Sequence, residues 1–171
     1  MKKIAYLLEF ILIKILFILF QLIGYRLSSN LGFFIGKTIG PIFRSKKMIV
    51  QNLEKANIQH SQNKFKIASN VLGNYGRIFA EYVHLKKFRN NELKRYVSIE
   101  GLEHLENLKK HNKKAVFISG HFNNFELMAM EIDKAGIDLA AIYRPLNNTF
   151  LNETMEKIRK EDICKNQIKK G

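Results

Sequence analysis

The chain has 171 residues, and hydrophobic residues make up 46% of them, which allows a buried core and excludes a chain that is disordered throughout. Lysine and arginine number 29 against 15 acidic residues, so the formal net charge is +14 and an anionic partner is expected. The single cysteine, Cys164, excludes an internal disulfide framework, and no CxxC or HExxH spacing indicates a metal site.

The first predicted element is an apolar segment over residues 4–23, which is long enough to cross a bilayer. Lys14, near its centre, costs roughly 2.5–3.5 kcal/mol on insertion scales, and the surrounding Leu, Ile and Phe offset this. Glu9 lies nearer the end. A cleaved signal peptide is one alternative, but the run is long and no A-x-A-like site follows it. A buried soluble helix is another, although apolar residues all round the helix argue against it. We therefore predict an uncleaved membrane anchor.

A second apolar segment follows over residues 27–43 and carries Gly32, Gly36 and Gly40 at a spacing of four. This spacing places small residues on one helix face, which suits close packing or a position at the membrane interface. Pro41 is expected to end the element. We assign residues 1–43 to a membrane anchor with an interfacial helix and residues 44–171 to a second domain. The cationic residues after the anchor favour a cytoplasmic location for that domain.

The first part of the second domain is predicted to be helical. Apolar residues at a spacing of three to four predict helices over residues 45–56 and about 61–84. Alternation over residues 96–100 then predicts a strand, and residues 101–110 predict a short helix with its leucines inward.

The remaining elements are expected to build a sheet. A continuous apolar run over residues 113–118 predicts a strand, followed by a helix over residues 122–135 that Gly136 stops. Residues 139–143 predict a third strand, and residues 148 to about 160 a final helix with no closing strand after it. Short strands alternating with helices predict an α/β domain with some parallel pairing, which three strands leave incomplete.

A histidine and an acid, His121 and Glu126, lie where the second predicted strand gives way to a helix. On a uniform helix, five residues turn about 500°, so the two side chains would point about 140° apart. If His121 instead ends the strand, Glu126 lies in the first helical turn and can bend back to it, at the edge where open α/β sheets bind ligands.

A carboxylate that holds an imidazole makes it a base for a hydroxyl that attacks an acyl group. Asn123, Asn124 and the amides at the helix start then offer support for the oxyanion. From the spacing alone, a surface or capping histidine and a helix-capping acid stay open as alternatives. The other histidines lack an equivalent setting and are predicted at the surface: His60, His84, His104 and His111.

Further motifs favour the catalytic interpretation of His121 and Glu126. The stretch GHFNNFE, followed after one predicted helix and strand by YRPLNN, resembles the bacterial lipid A biosynthesis acyltransferases, the late lauroyl/myristoyl transferases. Members typically have an N-terminal anchor, then G-H-x-x-x-x-[DE], then Y-R-P with an Asn shortly after, then a helix bearing an Arg. The matching positions here are Gly120-His121 with Glu126, Tyr143-Arg144-Pro145 with Asn147 and Asn148, and Arg159.

The resemblance implies a fold similar to that of glycerolipid acyltransferases and a role in lipopolysaccharide biosynthesis. The reaction would transfer a fatty acyl chain from acyl carrier protein to a hydroxyl of a lipid A precursor, at the cytoplasmic side of the bacterial inner membrane. His121 would be the general base and Glu126 its partner. The substrate-binding residues would be Arg159, Arg144, Asn124 and Tyr143.

The partners implied are acyl carrier protein, the lipid A precursor and an anionic membrane, with no nucleic acid, no metal and no cofactor. Family members typically continue through more strands and another acidic loop, so the acyltransferase domain is expected to be incomplete at its C-terminus. The alternatives are therefore an inactive remnant that only binds membrane, or a glycerolipid acyltransferase.

Overall fold

A computed structural model describes residues 2–57 and 63–170 of the chain. Its helices and strands, in chain order, are α1 (Lys2–Ile23), α2 (Tyr25–Phe43), α3 (Lys46–Lys55), α4 (Lys64–Glu81), α5 (Leu85–Arg89), α6 (Leu102–Lys110), α7 (Glu126–Lys134), β1 (Ala140–Tyr143), α8 (Thr149–Ile158) and β2 (Asn166–Lys169). Short 3-10 turns lie at Tyr82–His84 and Lys94–Tyr96, and a π-helical turn at Arg159–Ile163.

The predicted α/β architecture is only partly confirmed, because 69% of the described residues are helical. In the described residues the sheet has two strands, β1 and β2, which run parallel with Tyr143 opposite Lys169. Strand β1 was predicted at residues 139–143. Strand β2 was not predicted, and it lies where the sequence indicated no closing element.

Two predicted strands are wrong. Residues 97–100 follow the 3-10 turn Lys94–Tyr96 without joining a sheet, and residues 113–118 also form no strand. A strand needs a neighbour that accepts and donates its backbone hydrogen bonds, and within the described chain β1 and β2 pair only with each other. The apolar run is therefore exposed, with Val116 88% and Ile118 93% accessible.

The predicted helices are confirmed with altered ends. Helices α3 and α6 match their predictions, and the Ser45 side chain caps α3 by accepting from the Lys47 amide. Residues 61 and 62, where the next helix was predicted to start, lie outside the described residues, and α4 ends at Glu81. Helix α2 continues two residues past Pro41, where only one intrahelical hydrogen bond is lost.

Helix α7 begins at Glu126 rather than residue 122. The backbone before it is turned, because Asn123 has a left-handed φ of 44° and its carbonyl accepts from the Phe125 amide. Helix α7 then ends before Gly136 as predicted, since Gly136 has a φ of 82° and donates to the Asp133 carbonyl. Helix α8 ends at Ile158 and gives way to the π turn.

The chain divides into two compact units. The first comprises residues 1–16 and 84–171, and the second residues 17–83. The boundary predicted after residue 43 stays a prediction. The core of the first unit contains Leu85, Phe88, Met130, Ile132, Ile163 and Cys164. Arg89 ties these elements together, because its guanidinium lies 2.6 Å from the Asp133 carboxylate and donates to the Ile163 carbonyl at 2.9 Å.

In the second unit, α2 packs on α4 through glycines. A Cβ atom at Gly76 would overlap the Gly32 carbonyl oxygen and lie 2.7 Å from the Gly36 Cα. The opposite side of α2 is exposed and apolar, with Leu27 and Phe34 each 63% accessible and Ile42 80%. The helix therefore uses its small face for packing, as the glycine spacing predicted.

Helix α1 is the one helix in residues 2–57 and 63–170 that is long and apolar enough to cross a membrane, by length and composition. Only 11% of its most apolar stretch is buried. In the first unit, the Asn148 side chain donates to the Tyr6 carbonyl at 2.9 Å and to the Glu9 carboxylate at 2.8 Å. The acid inside this apolar helix is thus hydrogen-bonded.

Candidate active site

His121 follows the exposed apolar run of residues 115–118. It is the central residue of a tight turn, since the Phe122 amide donates to the Gly120 carbonyl at 2.9 Å. Its side chain is exposed, and its ring meets the ring of Phe125 edge-on, with 4.3 Å between centroids. The imidazole is therefore open to a substrate that approaches this segment.

Glu126 is the first residue of α7 and is buried, with 7% of its surface accessible. Both the Nε and the Nη2 atoms of Arg159 lie 3.1 Å from its Oε1 atom. Arg159 opens the π-helical turn after α8, and such turns are often found at functional sites. The position of Glu126 at the helix N-terminus further favours its negative charge.

The structure thus brings Glu126 together with Arg159. The described contact of the His121 ring is with Phe125, so the predicted pairing of His121 with Glu126 stays a prediction. Both residues nevertheless lie on one short segment, with the turn at residues 123–125 between them.

Tyr143 is the third site residue that the structure brings to this group. It ends β1, is buried, and lies against the Arg159 guanidinium, whose Cζ is 5.6 Å from the ring centroid. Its hydroxyl donates to the Oε1 atom of Glu156 at 2.5 Å. Burial, together with the hydrogen bond to this carboxylate, raises the pKa of Tyr143 above its ordinary value.

Glu156, Asn152 and Lys169 were missed by sequence reasoning. Asn152 donates to the Oε1 atom of Glu156 at 2.7 Å, and the Lys169 ammonium lies 3.1 Å from the same atom. The hydrogen bonds from Tyr143 and Lys169 lower the pKa of Glu156 to about 2. The i,i+4 spacing of Asn152 and Glu156 was a visible signal, whereas the position of Lys169 depends on the unpredicted strand β2.

The other predicted site residues are more dispersed. Arg144 is exposed and Asn124 half-buried, and their predicted substrate-binding roles stay predictions. Asn148 is buried at the N-terminus of α8, where its side chain accepts from the Leu151 amide at 3.3 Å. No group of three or more His, Cys, Asp or Glu among residues 2–57 and 63–170 is placed to hold a metal ion.

The prediction that the remaining histidines lie at the surface is wrong for His84. This residue is fully buried, because it immediately precedes the buried residues Leu85 and Phe88 of α5. His104 and His111 are exposed, as predicted, and His60 lies outside the described residues.

The exposed histidine and the buried acid–arginine pair form a candidate active site, and the chain also carries an apolar N-terminal helix. The sequence profile described as "Bacterial lipid A biosynthesis acyltransferase" matches residues 1–166 of the chain. The chain therefore belongs to the bacterial lipid A biosynthesis acyltransferase family and is an acyltransferase of that type. Comparisons with curated proteins and with solved structures gave no match.

Proposed function

We propose that this protein transfers a fatty acyl chain from acyl carrier protein to a hydroxyl of a lipid A precursor, as the late lauroyl/myristoyl transferases do. The observation that carries this proposal is the family match over residues 1–166, which includes His121, Glu126 and Arg159. The exposure of His121 and the burial of Glu126 support it, because a base must reach substrate while its orienting acid is held in place.

In the proposed reaction, the imidazole of His121 takes the proton from the acceptor hydroxyl as its oxygen attacks the thioester carbonyl. The tetrahedral intermediate then expels the thiolate of the carrier, which takes the proton back from the imidazolium. Glu126 stabilises the imidazolium once the His121 ring turns away from Phe125. Arg159 holds the Glu126 carboxylate in place at the start of α7 through their ion pair.

The charge of the chain supports both proposed substrates. A net charge of +14 suits an acidic carrier protein and a phosphorylated lipid, since both are anionic. Arg144 is an exposed cation on the loop between β1 and α8, and we propose that it contacts the acceptor with Asn124.

We further propose that the protein acts at the inner membrane, with α1 as its anchor and the exposed face of α2 at the bilayer interface. Residues 10–53 support this, because they contain no acidic residue and six cations: Lys14, Arg26, Lys37, Arg44, Lys46 and Lys47. Apolar side chains with cationic neighbours favour an anionic lipid surface. The contact of Asn148 with Glu9 supports a site near that surface, since Asn148 also caps α8.

The test uses the full chain in proteoliposomes with an acyl-carrier-protein thioester and a lipid A precursor. We expect His121→Ala to lower the rate of transfer by about 10²–10⁴-fold, the contribution typical of a general base. His104→Ala is the matched control, because His104 is an exposed histidine outside the site. Transfer that survives unchanged in His121→Ala would rule out the mechanism.

The same preparation separates the alternatives. Transfer to glycerol phosphates, with none to the lipid A precursor, would identify a glycerolipid acyltransferase instead. Binding to anionic vesicles without transfer to either acceptor would identify a membrane-binding remnant.

A further inference from the structure

Three side chains, one of them that of the predicted site residue Tyr143, converge on one oxygen atom of Glu156. The Oε1 atom of Glu156 accepts hydrogen bonds from the Tyr143 hydroxyl at 2.5 Å and from the Asn152 amide at 2.7 Å. The Lys169 ammonium completes the group at 3.1 Å. Such charge-assisted hydrogen bonds are the stronger ones in proteins, so this cluster fixes the position of the Tyr143 hydroxyl.

Strand β2 delivers Lys169 to this cluster. In the parallel pair, Lys169 lies opposite Tyr143, and the Lys170 amide donates to the Tyr143 carbonyl at 2.8 Å. Tyr143 is thus held at its backbone by the end of β2 and at its hydroxyl by Glu156. Because Lys169 binds the same carboxylate, β2 supports both ends of this residue.

The Tyr143 ring connects the cluster to the candidate active site. Glu156 and Arg159 are three residues apart, so they project from the same side of the helix that runs from α8 into the π turn. The Tyr143 hydroxyl donates a hydrogen bond to Glu156, and the Tyr143 ring lies against the guanidinium of Arg159. A cation over an aromatic face is attracted to it, which limits where the guanidinium can lie.

We propose that Glu156 and Lys169 are positioning residues, which hold Tyr143 against Arg159 and thereby hold Arg159 on Glu126. Neither residue touches a reacting atom. Their effect on catalysis rests on the proposed function, whereas their effect on the Arg159 side chain does not.

The test follows Arg159 directly by the NMR signal of its Nε–H group, which donates to Glu126. The full chain is studied in detergent micelles, and the signal is assigned by its loss in Arg159→Lys. We expect Lys169→Met and Glu156→Gln to shift or broaden this signal. Lys169 is 60% exposed at its side chain, so its substitution is compatible with folding if Glu156→Gln is not.

The matched control is Lys157→Met. Lys157 is also a lysine in an ion pair with a glutamate, Glu161, at 3.9 Å, and it is exposed on the same helix. An Arg159 signal that stays unchanged in both Lys169→Met and Glu156→Gln would overturn the proposal. A shift in those two variants but not in the control would support it, even if the protein transferred no acyl group.

Kinetics provide the second measurement. With the lipid A precursor as acceptor, we expect Lys169→Met to lower kcat about tenfold with little change in KM, as expected for supporting residues around an active site. An equal loss in Lys157→Met, or a change confined to KM, would contradict a positioning role.

Discussion

The second unit and the active-site region of the first unit are held together by opposite means. Helix α2 meets α4 where side chains are absent, so that the backbones at Gly32, Gly36 and Gly76 lie in direct contact. Around Arg159, in contrast, side chains make the contacts. Its guanidinium pairs with the Glu126 carboxylate and lies against the Tyr143 ring. We therefore expect the contact between α2 and α4 to be sensitive to added volume, and the contacts of Arg159 to be sensitive to loss of charge. Substitutions that add volume or remove charge therefore test the comparison.

The largest effect is expected where volume is added between α2 and α4. Gly76→Ala places a Cβ against the Gly32 carbonyl oxygen and the Gly36 backbone, neither of which can rotate away. We expect a loss of about 3 kcal/mol or more in the free energy of unfolding, at the upper end for overpacking. Denaturant unfolding in detergent measures it.

Gly40→Ala is the graded control for that substitution. Its Cβ would lie 3.1 Å from the Leu72 Cβ and 3.6 Å from the next Leu72 atoms, a much milder contact than at Gly76, so we expect a loss below about 1.5 kcal/mol. Helix propensity favours alanine equally at both positions, so equal losses in the two variants would show that close backbone contact at Gly76 does not decide the outcome.

The next effect is expected where charge is removed. Arg159→Met removes the ion pair with the buried Glu126 carboxylate, which should lower the free energy of unfolding by about 2–3 kcal/mol. Adding Glu126→Gln should restore part of the loss, because the buried charge that lost this ion pair is then gone. A double variant that is less stable than Arg159→Met would contradict the ion pair as the cause. Thermal unfolding of the three variants decides this.

The same contrast explains what the sequence could and could not predict. The glycine spacing in α2 and the stop of α7 before Gly136 are local signals, and the structure confirms both. The strand predicted at residues 113–118 failed because strands depend on distant partners that periodicity does not reveal. Strand β2, in the polar stretch KNQIKK, had no apolar pattern to mark it.

The candidate active site shows the same difference between local signals and long-range contacts. His121 and Glu126 were found as a pair in sequence, and Arg159 through the family resemblance, yet the contact between Glu126 and Arg159 spans 33 residues and needed the fold to be seen. Lys169 was invisible because its role depends on the β1–β2 register. Local chemistry was therefore predictable, whereas the network that joins it was not.

A moderate effect is expected at Asn148, which is both a helix cap and a hydrogen-bond donor to Glu9. Asn148→Ala should lower the free energy of unfolding by about 1 kcal/mol through loss of the cap. Asn148→Asp keeps a good capping residue but sets a carboxylate beside Glu9, so it should also be destabilised at neutral pH. If Asn148→Asp matched the wild-type protein in thermal unfolding, the contact with Glu9 would have no energetic role.

The smallest effect is expected in the pH dependence of stability, at acid pH. The pKa of Glu156 is lowered to about 2 from its ordinary 4.5, first by the hydrogen bond from Tyr143 and then by that from Lys169. Because the folded state binds this proton more weakly than the unfolded state does, the charged carboxylate stabilises the fold fully above pH 4.5. That contribution is lost as the pH falls through the folded value of about 2.

The stability difference between the wild-type protein and Glu156→Gln, measured by denaturant unfolding, should therefore be constant near neutral pH and become smaller in this acid range. Glu161→Gln, which removes an exposed carboxylate, is the matched control. A stability difference from the wild-type protein that is independent of pH in both variants would show that Glu156 stabilises the fold through packing rather than charge. The cluster would then resemble the glycine contact between α2 and α4 in the second unit.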